Sequence, residues 1–185
     1  MRFGRFLSLG VAALMATAVS GVGAATAQPS ATCGGVSFAE DMLNAHNQRR
    51  AKHQSPPLVL DPTVTSTAQR WADKLLKKRE LAHSVGTGYG ENLFYMMGDQ
   101  VTGFGVTKAW YDEIKDYDFN NPGYSQTTGH FTQVVWKNSQ RLGVGIACDG
   151  TRSYAVANYD PAGNMGGVSS SDTSQHYREN VGRPS

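Results

Sequence analysis

The 185-residue chain has 17 basic and 15 acidic residues, a formal charge of +2 and 2 cysteines. It is long enough for one domain with a sizeable core, yet it lacks the basic excess that drives phosphate recognition, so nucleic acid is excluded as an expected partner. The local run Lys77-Lys78-Arg79 reads as a solvated helix end.

Arg2 and Arg5 precede an apolar stretch from Leu7 to about Val19, followed by Ala25-Thr26-Ala27, the small-residue pattern of a secretory cleavage site. The stretch is short for a membrane span and contains Ser8, Gly10, Thr17 and Ser20, which favours a cleaved signal over a retained anchor. The expected organisation is a signal peptide over 1–27, an N-terminal segment over 28–36, one domain over 37–181 and a tail over 182–185. Removing 27 of the 185 residues leaves 158, and the loss of Arg2 and Arg5 leaves 15 basic against 15 acidic residues, a formally neutral secreted, extracellular protein. In an exported chain an even pair of cysteines is more often bridged than free, so Cys33 and Cys148 are expected to form a disulfide.

Ser37-Phe38-Ala39-Glu40 has the form of a capping box, and Phe38, Met42, Ala45 and Arg49 follow at helical steps, predicting a first helix to about His53. Pro56-Pro57 stops it. Asp61-Pro62 then offers an N-cap with proline in the first turn, and Val64, Ala68, Trp71, Ala72, Leu75 and Leu76 form the apolar stripe of a second helix.

After the glycine-rich passage from Gly86 to Gly90, an extended element is expected from Asn92 to Met96. A third helix carries Val106, Trp110, Ile114 and Tyr117 on one face, with Glu113 on its border and so partly buried. Residues 118–128 read as a loop. Arg141 to Cys148 and Ser153 to Tyr159 alternate around an Asp149-Gly150 turn, the pattern of a hairpin. The glycine- and serine-rich stretch from Gly166 to Ser174 is expected to be mobile.

Between loop and hairpin lies Gly129-His130-Phe131-Thr132-Gln133-Val134-Val135-Trp136-Lys137-Asn138-Ser139, which sets an imidazole among apolar neighbours at helical spacing. Taken alone, His130 there reads as a hydrogen-bonded core residue. Three other segments change that reading: Tyr154 to Met165 (YAVANYDPAGNM), His46 to Arg50 (HNQRR) and Gly90 to Leu93 (GENL).

With those four motifs following one another along the chain as HNQRR, GENL, GHFTQVVW and YAVANYDPAGNM, the chain resembles the CAP superfamily of cysteine-rich secretory, antigen 5 and pathogenesis-related-1 proteins, from about Phe38 to Val181. It looks most similar to the Golgi-associated pathogenesis-related and fungal sterol-binding subgroups, through Trp110-Tyr111-Asp112-Glu113-Ile114, Pro161-Ala162-Gly163-Asn164 and Glu179-Asn180-Val181. Ala157 stands where many plant and venom members carry a cysteine, so their multi-bridge framework is absent and stability rests mainly on the core.

The resemblance implies an α+β fold, a three-layer α-β-α sandwich with a central antiparallel sheet. It also implies a surface cavity lined by His83, Glu91, Glu113 and His130. Two imidazoles and two carboxylates suit Zn2+ or another divalent cation; they equally suit a hydrogen-bonded cluster in which each carboxylate orients a histidine. The segment with Tyr117, Phe119, Pro122 and Tyr124 resembles the aromatic loop of sterol-binding members, and a groove between the first and fourth helices would suit fatty acyl chains. In the HNQRR motif, His46, Asn47 and Arg50 are expected to bond neighbouring backbone and lock the first helix. His53 and His176 are read as surface residues.

The expected function is therefore a secreted module for small lipids such as sterols or fatty acids, or for a membrane or cell-wall surface. One alternative is a metal-dependent or serine-type hydrolase in the same cavity, with Ser84, His83 and Glu91 as weak candidates, since no GxSxG elbow is present. Another is an extracellular interaction protein. Cys148 as a nucleophile has nothing to activate it.

Overall fold

The computed structural model describes residues 33–35, 37–98, 100–166 and 170–185. The expected signal peptide lies outside the described residues. No helix among the described residues is long and apolar enough to cross a membrane.

Helix α1, Phe38–Lys52, buries Phe38, Met42, Ala45 and Arg49, as the helical step predicts. The capping box does not form. Ser37 sits at φ −101°, ψ 4° rather than in the extended geometry that turns a hydroxyl toward the free amides, and it makes no side-chain cap. Glu40 and Asp41 in the first turn still complement the helix dipole.

Helix α2, Pro62–Lys78, starts as predicted: extended Asp61 accepts the Thr63 and Val64 amides at 2.8 and 2.9 Å, with Pro62 first in the helix. Its end at Lys77, Lys78 and Arg79 is exposed.

A four-stranded sheet runs β1-β3-β4-β2, from Val59–Leu60, Gly90–Met97, Arg141–Cys148 and Arg152–Asp160 in chain order. The β3–β4 hairpin turns at Asp149-Gly150, where Gly150 takes a φ of 82°, and β2 pairs antiparallel with β4. The sheet is mixed rather than wholly antiparallel, because β1 runs parallel to β3. The link from α1 to α2 passes beside β3, where Val59 donates to the Gln140 carbonyl and Asp61 to that of Leu142.

Helix α2 covers one face of the sheet, while α1, α3 (Gly103–Tyr111) and α4 (Gly129–Val135) pack together on the other, which makes the three layers. The close approach of α2 depends on glycine. A Cβ at Gly143 would fall 2.2 Å from the Val64 backbone, and one at Gly145 2.4 Å from that of Ala68. The main core joins Phe38, Met42, Trp110, Phe131, Leu142 and Tyr159, and a smaller one under α2 joins Ala68, Leu75, Leu93 and Tyr154.

The third helical stripe is not one continuous α-helix. α3 tightens into a 3-10 helix over Asp112–Asp116, and Tyr117 is extended at φ −90°, ψ 122°. Ile114 and Tyr117 nevertheless reach the core. The expected mobile stretch is partly overturned: residues 167–169 lie outside the described residues, but Ser170–Asn180 forms helix α5. That helix is anchored by fully buried Tyr177, edge-on to Trp136 at 5.0 Å, and by Asn180 accepting the Asn138 amide.

Cys33 and Cys148 form a disulfide with Cα atoms 5.8 Å apart, tying the first described residues to the end of β3. His53 is not a surface residue. Its ring is fully buried, donates from Nδ1 to the Gly182 carbonyl at 2.6 Å, accepts the Tyr111 hydroxyl at Nε2 and stacks on Phe119. His176 is exposed.

Candidate functional site

Four short segments, distant in sequence, are joined by one hydrogen-bonded relay. His46 Nδ1 lies 2.8 Å from the Met42 carbonyl, which can only accept, so the proton is on Nδ1 and Nε2 accepts from the Tyr159 hydroxyl at 2.8 Å. Asn92 Nδ2 donates to that same hydroxyl at 3.2 Å and to the His130 carbonyl at 3.1 Å. The relay thus links HNQRR on α1, the end of β4, the start of β2 and the first turn of α4. Burial holds His46 neutral, with its pKa lowered to about 3.

The rest of HNQRR locks α1 in place. Asn47 exchanges two hydrogen bonds with the Leu58 backbone. Fully buried Arg50 directs its guanidinium onto the carbonyls of Pro56, Val134, Trp136 and Ser139. Two of those carbonyls end α4, where a cation also faces the negative pole of the helix. Burial lowers the Arg50 pKa to about 10. Ser55 adds a further bond there, donating to the Val135 carbonyl at 2.7 Å.

The relay sets the floor of an open hollow of about 540 Å³, lined by His83, Glu91, Asn92, Tyr124 and His130 among others. Glu91 Oε1 is 2.8 Å from His83 Nδ1, and Glu113 Oε1 is 2.7 Å from His130 Nδ1. The Glu91 carboxylate is nearly buried at 6% side-chain exposure, whereas His83 is 65% exposed. Its hydrogen bond to Glu91 raises the His83 pKa. Glu113 braces His130 from behind and is not among the lining residues.

Each carboxylate accepts three hydrogen bonds. Glu91 also accepts the Ser84 amide at 2.9 Å and the Ser84 hydroxyl at 2.6 Å, and Glu113 accepts the amides of His130 and Phe131. Each acid holds an imidazole by Nδ1 and leaves its Nε2 without a hydrogen bond among the described residues. The four-ligand tetrahedral shell implied by the resemblance does not fit this arrangement. Among the described residues no group of three or more His, Cys, Asp or Glu side chains is placed to hold a metal.

The same geometry argues against a serine relay. Ser84 donates straight to Glu91, and no imidazole among the described residues bonds its hydroxyl. Cys148 is in the disulfide.

The aromatic loop divides in two. Tyr117 and Phe119 meet edge-on at 4.9 Å and pack on Phe131; Tyr117 and Pro122 are buried, though both reach the wall of a second hollow, and Phe119 is half-buried. Only Tyr124 is open, at 60% exposure. It borders both the His/Glu hollow and that second hollow, of about 530 Å³, formed by residues of the 116–128 loop. Its ring lies over Gly129, where a Cβ would come within 3.1 Å.

Sequence reasoning missed the pins on the far wall. Gln133, fully enclosed, accepts the Gly163 amide at 3.0 Å and donates to Ser139. Asn164, in the left-handed region at φ 56°, accepts from Thr132 at 2.6 Å and donates to the Gly129 carbonyl. The polar interruption of the apolar run Phe131–Trp136 by Thr132 and Gln133 was the available signal.

A family model described as the cysteine-rich secretory protein family, CAP, matches residues 43–159. The chain is 45% identical over 133 residues to the Golgi-associated plant pathogenesis-related protein 1 of Homo sapiens, a match covering 69% of this chain and 85% of that protein. It is 41% identical over 134 residues to Protein PRY2 of Saccharomyces cerevisiae, covering 69% of this chain and 38% of that one. It is 40% identical over 151 residues to Secreted protein RBT4 of Candida albicans, covering 80% and 41%. The chain thus spans less than half the length of these two fungal relatives. Its fold is similar to the crystal structure of NaASP2 with Zn2+, at a TM-score of 0.62 and 24% identity over 84% of this chain and 91% of that one.

Proposed function

The chain belongs to the cysteine-rich secretory protein (CAP) family, and from that premise we propose an exported, non-catalytic module that binds a small lipid, a sterol or fatty acid, beside Tyr124. The proposal includes export on the signal peptide 1–27. The observation that carries it is the exposed Tyr124 ring between two open hollows of about 540 and 530 Å³, each of a size that suits a small organic ligand. An aromatic face standing free between such hollows gains most from covering an apolar ligand.

The His/Glu hollow serves in this reading as a weak site for a divalent cation such as Zn2+, held by His83 and His130 Nε2. Hydrolysis is the weaker reading, because Ser84 lacks a base and the carboxylates are engaged. The name of the Candida relative, Secreted protein RBT4, is in keeping with export.

Native mass spectrometry of the purified protein tests the proposal. A retained mass of a few hundred daltons, removed by organic extraction and restored by adding sterol or fatty acid, is expected. An empty protein that takes up neither lipid would overturn it.

A further inference from the structure

The outer side of α2 concentrates charge that the rest of the chain balances. Arg70, Lys74, Lys77 and Lys78 lie at helical spacing on the side away from the sheet, and none of them forms a salt bridge among the described residues. The one acid of α2, Asp73, lies one turn before Lys77 at the border of this side and accepts from Gln69, which also bonds the Ile146 carbonyl. Glu80 follows the helix. Arg70 is steadied by the hydroxyls of Ser66 and Thr67, and Lys74 lies 4.8 Å above the Trp71 ring.

Apolar groups stand out from this basic side. Trp71 Nε1 donates to the Ala82 carbonyl, which draws the segment after α2 against it. Leu81 is 51% exposed there and Val85 is 94% exposed. Val85, Trp71, Arg70 and Lys74 share one groove of about 420 Å³ with Ser84, whose amide and hydroxyl hold Glu91. The loop that forms this groove therefore also supports the His/Glu hollow.

We propose that this face, Arg70, Lys74, Lys77 and Lys78 with Leu81 and Val85, docks on an anionic lipid bilayer. The cations meet lipid phosphates, while the exposed aliphatic side chains enter the interfacial layer. A soluble polyanion would satisfy the cations alone and gives no reason for Val85 to stand in water. Docking here is independent of what the hollows beside Tyr124 hold, so it can stand or fall separately from the lipid-ligand reading.

Vesicle co-sedimentation of the purified protein decides it, using phosphatidylcholine alone against phosphatidylcholine mixed with phosphatidylserine. Binding to the anionic vesicles only, reversed by salt, is expected. Each of Lys74→Gln and Lys77→Gln weakens it about five-fold, and Val85→Asp weakens it with the melting temperature unchanged. Trp110 and Trp136 are buried, so a blue shift of tryptophan emission on docking reports Trp71 and disappears in Trp71→Phe. Equal binding to neutral vesicles, indifference to the lysine variants, or retention on heparin without vesicle binding would each overturn the proposal.

Discussion

His46 and Tyr159, 113 residues apart, share a 2.8 Å hydrogen bond that joins the first helix to the end of the last strand. The imidazole accepts there and donates to Met42, so the contact holds only while His46 is neutral. His53 repeats the arrangement, with the Gly182 carbonyl taking its proton and the Tyr111 hydroxyl giving one.

Burial lowers the pKa of both rings, that of His46 to about 3. For such groups stability is complete above the unfolded value of 6.5 and is lost as pH falls below it, because the unfolded chain takes up protons that the folded chain refuses. Thermal melts are therefore expected to drop steadily from pH 6.5 toward pH 3, and His46→Gln to flatten that slope while lowering the melt at neutral pH. A parallel slope in the variant would remove His46 from the account.

His83 titrates in the opposite sense. Its pKa is raised by the hydrogen bond to Glu91, so the stabilising ion pair is complete below 6.5 and is lost as pH rises through the higher folded value. An NMR titration is expected to place the His83 midpoint above 6.5, and Glu91→Gln to bring it back down. Zn2+ must displace the same proton equilibrium to settle the imidazole as a ligand, so its affinity is expected to rise with pH across that midpoint.

Arg50 meets four backbone carbonyls and no carboxylate. Lysine cannot reproduce that fan, and its compact charge is costlier to bury. Arg50→Lys is expected to destabilise by about 2–4 kcal/mol in urea melts. A loss below about 0.5 kcal/mol would mean that the α1–α4 seam closes without it.

The Cys33–Cys148 bridge closes a sequence separation of 115 residues. Cys33→Ser with Cys148→Ser is expected to cost about 2–4 kcal/mol while leaving a folded protein, since the core of Phe38, Met42, Trp110 and Phe131 does not involve the bridge. A double variant that fails to fold would contradict a core-based stability.

Much of the fold was legible because its cues are local. The Asp61-Pro62 start of α2, the Asp149-Gly150 hairpin and the helical steps of Phe38, Met42 and Ala45 each follow from residues within a few positions of one another. The misreadings share a different cause. His53 finds its partners 58 and 129 residues away, and Tyr177 docks on Trp136, so their burial exists only in the folded chain. Ser37 had the right chemistry for a cap but the wrong backbone angles.

For the site, the His83–Glu91 and Glu113–His130 pairs came from the resemblance rather than from spacing, and no pattern in the chain disclosed that both carboxylates would also accept backbone amides. The loop shows the same limit. Tyr117, Phe119 and Tyr124 look alike in sequence, yet the first is buried, the second half-buried against Phe131 and the third open, a difference set by contacts with a distant helix.

Uptake of a fluorescent sterol and a fluorescent fatty acid by purified variants tests the binding account most directly. Tyr124→Ala is expected to keep its melting temperature and lose uptake by about ten-fold, whereas His83→Ala and His130→Ala retain it. Phe119→Ala, at a half-buried ring packed on Phe131, is expected to destabilise the fold by about 2–4 kcal/mol whatever it does to uptake. Full uptake by Tyr124→Ala, or hydrolysis of an ester or peptide that disappears with His83→Ala, would contradict the account.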